Sequence, residues 1–345
     1  MPTIFSHALE GPPEDPTHFL GKTERDIRVR WLVANEASHG ANGTTLHGPW
    51  AKDHDDANGM YLKRSQHWPS DARGSLDEIH LRYIPGGTDL AEQLQSGNLH
   101  FAPSLTDPSL FAALQSNPDI ELTAAGNIST FFLMFRLETA NRALRRRIAS
   151  TINVQELAAL WPEAAAPATA LVHPKMLGHA WGKHERADLS GPEVALSLLC
   201  PPPNTFPHAL AVELQRQLGP VGITLRLSPD TGGYPTWKAM NEAWKAGNGD
   251  LLIAGWHQRT PYPDDPQPYL RALFHSKGGA NWSRYGQADG HLDFRRPKQA
   301  VGRLKADVPA VPLVYWTRYS AYRKGLGLEL VPGGLPKDRL VNVTI

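Results

Sequence analysis

From Leu76 to Phe135 the spacing of apolar residues switches between the two-residue period of a strand and the three-to-four-residue period of a helix. A strand ends in Tyr83-Ile84-Pro85. Asp89 and Glu92 then have the spacing of a capping box, Leu90 and Leu94 share one face of the helix it would start, and Gly97 stops that helix. After a short strand, Asp107-Pro108 opens a second helix, with proline where its missing N–H costs nothing. Leu110, Phe111 and Leu114 supply the buried face of that helix. Ser129–Phe135 is apolar on both faces, which predicts a central strand. Leu144, Ile148 and Ile152 recur every fourth residue, and Asn153-x-x-Glu156 caps a further helical turn.

A second unit follows Ala166. The pattern predicts a strand over Val194–Cys200 and a helix over His208–Leu218 that aligns Leu210, Leu214 and Leu218. A strand at Ile223–Leu227, a helix at Trp237–Lys245 and a strand at Asp250–Ala254 come next. Strand–helix–strand–helix–strand is the order of a parallel sheet with right-handed crossovers. Ahead of all this, Met1–Asp26 is rich in proline and polar residues and reads as a loosely packed arm. Ile27–Ala34 reads as a strand and Glu36–Gly48 as a loop.

Composition narrows the function classes. A chain of 345 residues exceeds one ordinary core and predicts two lobes. Its formal net charge of +1 gives no general case for nucleic acid, and Arg145-Arg146-Arg147 reads as the solvated face of a helix. Cys200 is the single cysteine, so no internal disulfide and no cysteine metal site is possible. Fifteen histidines form loose groups, His47, His54-Asp55-Asp56 and His179 with His184-Glu185, but none has a known ligand spacing. No metal and no cofactor is expected. A nucleophile elbow, a phosphate loop and a dinucleotide fingerprint are also missing from the sequence. The first residues, MPTIFSHALEGPPEDPTHF, lack a basic start and an apolar run, so as written the chain is expected in the cytoplasm. No run approaches a membrane span.

Several segments resemble the peptide/nickel (family 5) extracytoplasmic solute-binding proteins of bacterial ABC transporters. Leu76–Phe135 is similar to the hinge-side lobe of that family, and Leu46-His47-Gly48-Pro49-Trp50, Met60–Arg64 and Gln66-His67-Trp68 follow the order of its earlier motifs. Leu144–Glu156, Ala211–Leu218 with Gly222-Ile223, and the returning segment Val308–Tyr315 resemble further family segments. The resemblance implies an α/β, two-lobed periplasmic-binding-protein-like fold (class II type) with part of the first lobe missing. It divides the chain into an N-terminal arm and strand at 1–45, a first lobe at 46–165, a second α/β lobe at 166–310 and a return to the first lobe at 311–345. Hinges would lie near Trp161–Leu171 and Pro309–Pro312. Gln287–Asp307, interrupted by Pro297, stands where the family places a helix pair.

The implied function is non-enzymatic: a peptide-like or other small solute held between two lobes and read by an ABC permease in the membrane, by a monomer in the periplasm or cell envelope. The other reading is a cytoplasmic ligand-sensing domain or shortened paralogue of the same fold. A hydrolase working through Asp264, Asp265 and a nearby histidine lacks a nucleophile motif. Ligands of open parallel sheets bind beyond the carboxyl ends of the strands. Gly255-Trp256 opens a loop there that resembles the family's Gly-Trp-x-x-Asp-Tyr-x-x-Pro loop, which makes Trp256, Arg259, Tyr262, Asp264 and Asp265 candidate ligand contacts. In peptide-binding members the aspartate pairs with the ligand's ammonium, yet Arg259 holds that place here. Two cations about 4 Å apart repel by roughly 4 kcal/mol at an effective dielectric near 20, about three decades of affinity. Either Asp264 or Asp265 has taken over the role, or the solute is anionic or neutral. The sharper form of the second reading has Arg259 grip a carboxylate, and the plainer reading makes Arg259 a solvated loop charge. Asn281, Trp282 and Tyr285 resemble a segment lining the opposite wall, where Trp282 either stacks on the solute or belongs to the core. Trp237, with Tyr234 near it, lies after the Ile223 strand at a comparable strand end.

Overall fold

The computed structural model describes residues 4–9, 50–56, 59–65, 76–84, 87–105, 107–174, 189–230, 232–257, 266–286, 292–326, 328, 330–331 and 335–336. They form an α/β fold in two compact units, Met1–Gly126 with Arg318–Ile345, and Asn127–Thr317. The junctions differ from the expected boundaries at 165–166 and 310–311. They fall inside two long strands, so each unit is completed by half of a strand that the other begins. Ile27–Ala34, Glu36–Gly48 and Gln66–Trp68 lie outside the described residues.

In the first unit, β1 (Ile4–Leu9) pairs in parallel with both β4 (Glu78–Tyr83) and β5 (Phe101–Leu105). The expectation of a loosely packed arm at Met1–Asp26 is therefore corrected over β1, whose backbone groups find partners on both sides. An antiparallel meander of β2 (Trp50–Asp56) and β3 (Gly59–Arg64) extends the sheet beyond β4. Alternation along these strands puts Trp50, Met60, Leu62, Ile79 and Leu81 into one core with Phe101 and Tyr322.

Helix α1 (Gly87–Ser96) begins before Asp89, which lies in the first turn instead of capping it; its charge there still complements the helix N-terminus. Leu94 is buried, and Gly97 ends the helix at φ +79°, a conformation a side chain would strain. Asp107 does cap α2 (Pro108–Gln115), its carboxylate accepting from the backbone N–H groups of Ser109 (2.8 Å) and Leu110 (3.4 Å). Leu110, Phe111 and Leu114 are buried as the pattern predicts.

The long strand β6 (Ile120–Phe135) carries the chain into the second unit, where α3 (Arg142–Thr151) and α4 (Val154–Ala158) follow. Asn153 caps α4 as expected, its side-chain oxygen accepting from Gln155 N–H (3.1 Å). Glu156, however, accepts from the Asn153 side-chain amide (2.7 Å), and the Asn153 backbone N–H donates to the Gln217 side chain (2.8 Å) instead. The core of this unit is a sheet in the order β6–β10–β8–β9, formed with β8 (Val194–Leu199), β9 (Ile223–Ser228) and β10 (Leu251–His257) after the short β7 (Ala165–Pro167). β8 is parallel to both β9 and β10, while β10 runs antiparallel to β6. The crossovers are α5 (Phe206–Leu218), capped by Thr205, and α6 (Trp237–Lys245), capped by Thr236.

Two helices complete the second unit: α7 (Gln267–Phe274) and α8 (Pro297–Asp307). Pro297 opens α8, so the expected interruption is instead a helix start, the place where proline is best tolerated. The chain then returns through β11 (Ala310–Arg323). One sheet face, with Phe132, Met134, Leu252 and Ala254, packs on Met240, Trp244, Leu270, Leu273, Val301 and Leu304 from the last three helices. The other face carries Phe131, whose ring lies against Phe206 (6.2 Å between centroids) and Trp316 (5.2 Å). At Gly255 a Cβ would stand 2.6 Å from the Phe131 ring, so glycine lets β10 approach β6.

The arginine run of α3 is not a solvated face. Arg146 is exposed, but Arg145 and Arg147 are buried, only 8% and 6% exposed. Arg145 donates to the carbonyls of Ala140 (2.6 Å), Asp307 (2.7 Å) and Val308 (2.9 Å). Val308 closes α8 at φ +52°, a strained position for a β-branched residue, and Arg145 grips it. Arg147 reaches the carbonyls of Pro192 and Val221. A helix terminus leaves carbonyls without partners, and a guanidinium can serve several at once.

Candidate functional site

The carboxyl ends of the parallel strands β8, β9 and β10 form one edge of the second unit's sheet, and α5 and α6 both start there. The loops leaving that edge are bonded to each other. Cys200 N–H donates to the Ser228 carbonyl (2.8 Å) and Tyr234 N–H to the Cys200 carbonyl (3.1 Å). The Cys200 thiol itself is buried and pushed up to about 11 by desolvation, so it is held as an inert thiol.

Trp256 stands at this edge near the end of β10, partly buried against the core. Its ring meets Tyr269 of α7 edge to face, 5.8 Å between centroids. The Tyr269 hydroxyl donates to the Leu171 carbonyl at 2.5 Å. Tyr269 is thus fixed at both ends, ring against Trp256 and hydroxyl against the chain. Removing the hydroxyl in Tyr269→Phe should keep the ring contact but cost about 1–1.5 kcal/mol of stability, measurable as a lower urea midpoint.

Trp282 also packs partly buried against the core, and its carbonyl accepts from the Trp244 indole N–H at 2.9 Å. Trp244 is held in turn by Arg136, whose guanidinium lies 4.1 Å from its ring. Asn281 turns inward. Its amide donates to the carbonyls of His275 (3.0 Å) and Tyr285 (2.8 Å), and its oxygen accepts from Tyr285 N–H (3.0 Å) and Ser283 Oγ (3.2 Å). These bonds use the full capacity of the side chain. Asn281 shapes the loop that presents Trp282. Tyr285 is buried, with its ring on Phe274 and its hydroxyl donating to Asp307 at 2.8 Å.

Trp237 is the first residue of α6 and is 39% exposed. Arg259, Tyr262, Asp264 and Asp265 lie outside the described residues. Among the described residues no group of three His, Cys, Asp or Glu side chains is placed to hold a metal ion, and no helix is long and apolar enough to cross a membrane. The sequence reading missed Tyr269, Trp244 and Arg136. For Tyr269 a signal existed: Pro266 and Pro268 begin a helix whose Tyr269, Leu270, Leu273 and Phe274 share a face. Arg136 had none, because only the folded chain brings distant carbonyls to it.

The buried tyrosines give this region an alkaline limit. Burial pushes the Tyr269 hydroxyl well above its ordinary 10.0, and burial together with Asp307 does the same for Tyr285. A raised folded value means that the unfolded chain ionises first. The stabilisation is complete below about pH 10 and is lost as pH rises from there through the folded values. Urea midpoints should match between about pH 8 and 9 and fall by about pH 11. The double variant Tyr269→Phe/Tyr285→Phe should lessen that fall.

The comparisons with known proteins agree with this architecture. The model for bacterial extracellular solute-binding proteins, family 5 Middle, matches residues 34–281. No curated protein matches the chain in sequence. Among solved structures, the chain is similar to the dipeptide-binding protein from Pseudoalteromonas sp. SM9913 in complex with Met-Leu, at TM-score 0.69 and 15% identity over 86% of this chain and 64% of that one. The ABC transporter-associated periplasmic binding protein DppA from Helicobacter pylori, in complex with the peptide STSA, gives TM-score 0.68 and 18% identity over 87% and 63%. NikA from Staphylococcus aureus, in complex with Ni(L-His)2, gives TM-score 0.71 and 13% identity over 96% and 83%. The chain thus spans about two thirds of the length of the first two. Their fold is that of two-lobed periplasmic binding proteins, and their ligands differ widely. With the family model matched over most of its length, the chain belongs to family 5 of the bacterial extracellular solute-binding proteins.

Proposed function

We propose that this chain binds a small solute, peptide-like or of comparable size, without altering its bonds, as the solute-binding component of an ABC importer outside the cytoplasm. The observation that carries the reading is Trp256, an aromatic ring at the carboxyl edge of a parallel sheet, fixed from behind by Tyr269. An aromatic face of this kind supplies large contact area at little entropic cost. Trp282, presented by the Asn281 loop, is the second aromatic surface of the proposal, and Trp237 marks the start of α6 at the same edge. Arg259, Tyr262, Asp264 and Asp265 remain proposed contacts that set the charge of the solute.

The ligand pairing favours a solute carrying a carboxylate if Arg259 faces it, and an ammonium if Asp264 or Asp265 does. Isothermal titration calorimetry with Met-Leu, with a tetrapeptide and with the nickel–histidine complex separates these classes. One class should bind at 1:1, and the solute should be recovered intact. A solute recovered in cleaved form would identify an enzyme instead.

A further inference from the structure

The charge of this protein is unevenly placed. Residues 136–148 and 266–307 hold 13 of the 35 Lys and Arg residues but 4 of the 34 Asp and Glu, leaving 22 cations against 30 anions in the rest. A chain of formal net charge +1 therefore concentrates positive charge on α3, α7 and α8 of one unit. Three of those arginines, Arg136, Arg145 and Arg147, are buried and structural. The others stand at the surface.

Arg284 pairs with Glu138 at 3.6 Å, whereas Arg142, Arg146, Arg295, Arg296 and Arg303 stand around α8. At its C-terminal end, Arg142 and Arg146 donate to the Ala306 carbonyl, and Arg303 approaches Asp307 at 3.4 Å. Cations suit that end of a helix. The N-terminal end is different. Arg295 is 85% exposed and Arg296 68% exposed, Lys298 is exposed in the first turn, and that turn holds no acidic residue. Cations at a helix N-terminus oppose the macrodipole, so this placement costs stability. Asp293 offsets it in part by pairing with Arg295 and Arg296. The ring contact of His275 with Phe294, 5.7 Å between centroids, brings exposed Lys277 and the end of α7 to the same region. A cluster that weakens its own helix is better explained by a partner than by the fold.

We propose that this basic face docks on an anionic lipid surface, through phosphate-bearing headgroups. Protein partners are bound around an apolar or aromatic centre. The exposed large apolar side chains among the described residues, Leu160, Leu189, Val212 and Trp237, all lie on other segments. Headgroups need only clustered Lys and Arg. The proposal stands whichever solute the protein binds.

The test is co-sedimentation of the full chain with lipid vesicles, of phosphatidylcholine alone and with about 30% phosphatidylglycerol. The anionic vesicles should bind at least about tenfold more protein at low salt, and the difference should vanish near 0.5 M salt, as screening requires. Arg296→Gln/Lys298→Glu should lose most of that binding while melting no lower than the parent, because Arg295 keeps its pair with Asp293 and the helix N-terminus loses two cations and gains an anion. Lys238→Glu/Lys245→Glu on α6 should bind like the parent. Equal binding to both vesicle types overturns the proposal, as does undiminished binding by the α8 variant. Retention on immobilised polyglutamate without vesicle binding overturns it in favour of an acidic protein partner.

Discussion

Replacing Trp256 with alanine is expected to weaken solute binding about 100-fold, roughly 2.7 kcal/mol, with little change in melting temperature. The size follows from what one well-placed aromatic anchor contributes to a binding site. The mild effect on stability follows from its position, since Trp256 is only partly buried and the surrounding core of Phe132, Leu252, Leu270 and Leu273 does not depend on it. Trp256→Phe should recover most of the affinity by keeping an aromatic face against Tyr269. Calorimetry with the solute that binds in the initial screen gives both numbers. Unchanged affinity in the alanine variant removes Trp256 from the site.

Replacing Arg136 has the opposite profile: a large loss of stability. Arg136 leaves the end of β6 and donates to the carbonyls of Gly249 (2.8 Å), Trp244 (2.8 Å) and Asn248 (3.0 Å), while its guanidinium covers the Trp244 ring. Those carbonyls belong to the end of α6 and the turn into β10, so one side chain ties β6, α6 and β10 together. Burial holds its pKa below the ordinary arginine value without threatening the charge. Arg136→Ala should cost about 3 kcal/mol, the sum expected for a lost cation–π contact and for buried carbonyls left without a donor. Arg136→Lys should recover less than half, because a lysine lacks the planar fork that reaches several carbonyls. Urea denaturation measures both. Trp244 also holds the Trp282 carbonyl, so the alanine variant should lose solute affinity as well.

Local patterns made much of the fold readable. Asp107-Pro108 and the Trp237–Lys245 period mark their helices because capping and amphipathicity act within a few residues. The strand–helix alternation after Val194 gave the parallel strands β8, β9 and β10. What escaped depends on distant partners. β1 is paired by strands some seventy or more residues away, and its proline-rich flank hid it. The burial of Arg145 and Arg147 depends on carbonyls from α8 and from the segment around Pro192 and Val221. The same division holds at the site. Trp256 was placed by a strand-end rule, whereas the inward turn of Asn281 and Tyr285 follows from bonds that only the folded loop shows.

The central claim, a solute held and released unchanged, is most directly tested by native mass spectrometry of the full chain incubated with a mixed pool of short peptides and nickel–histidine. The account predicts a single mass-shifted 1:1 complex whose ligand, after gentle activation, leaves with the mass it had in the pool. A spectrum showing only bare protein across the pool, or ligands released at the mass of cleaved products, contradicts it.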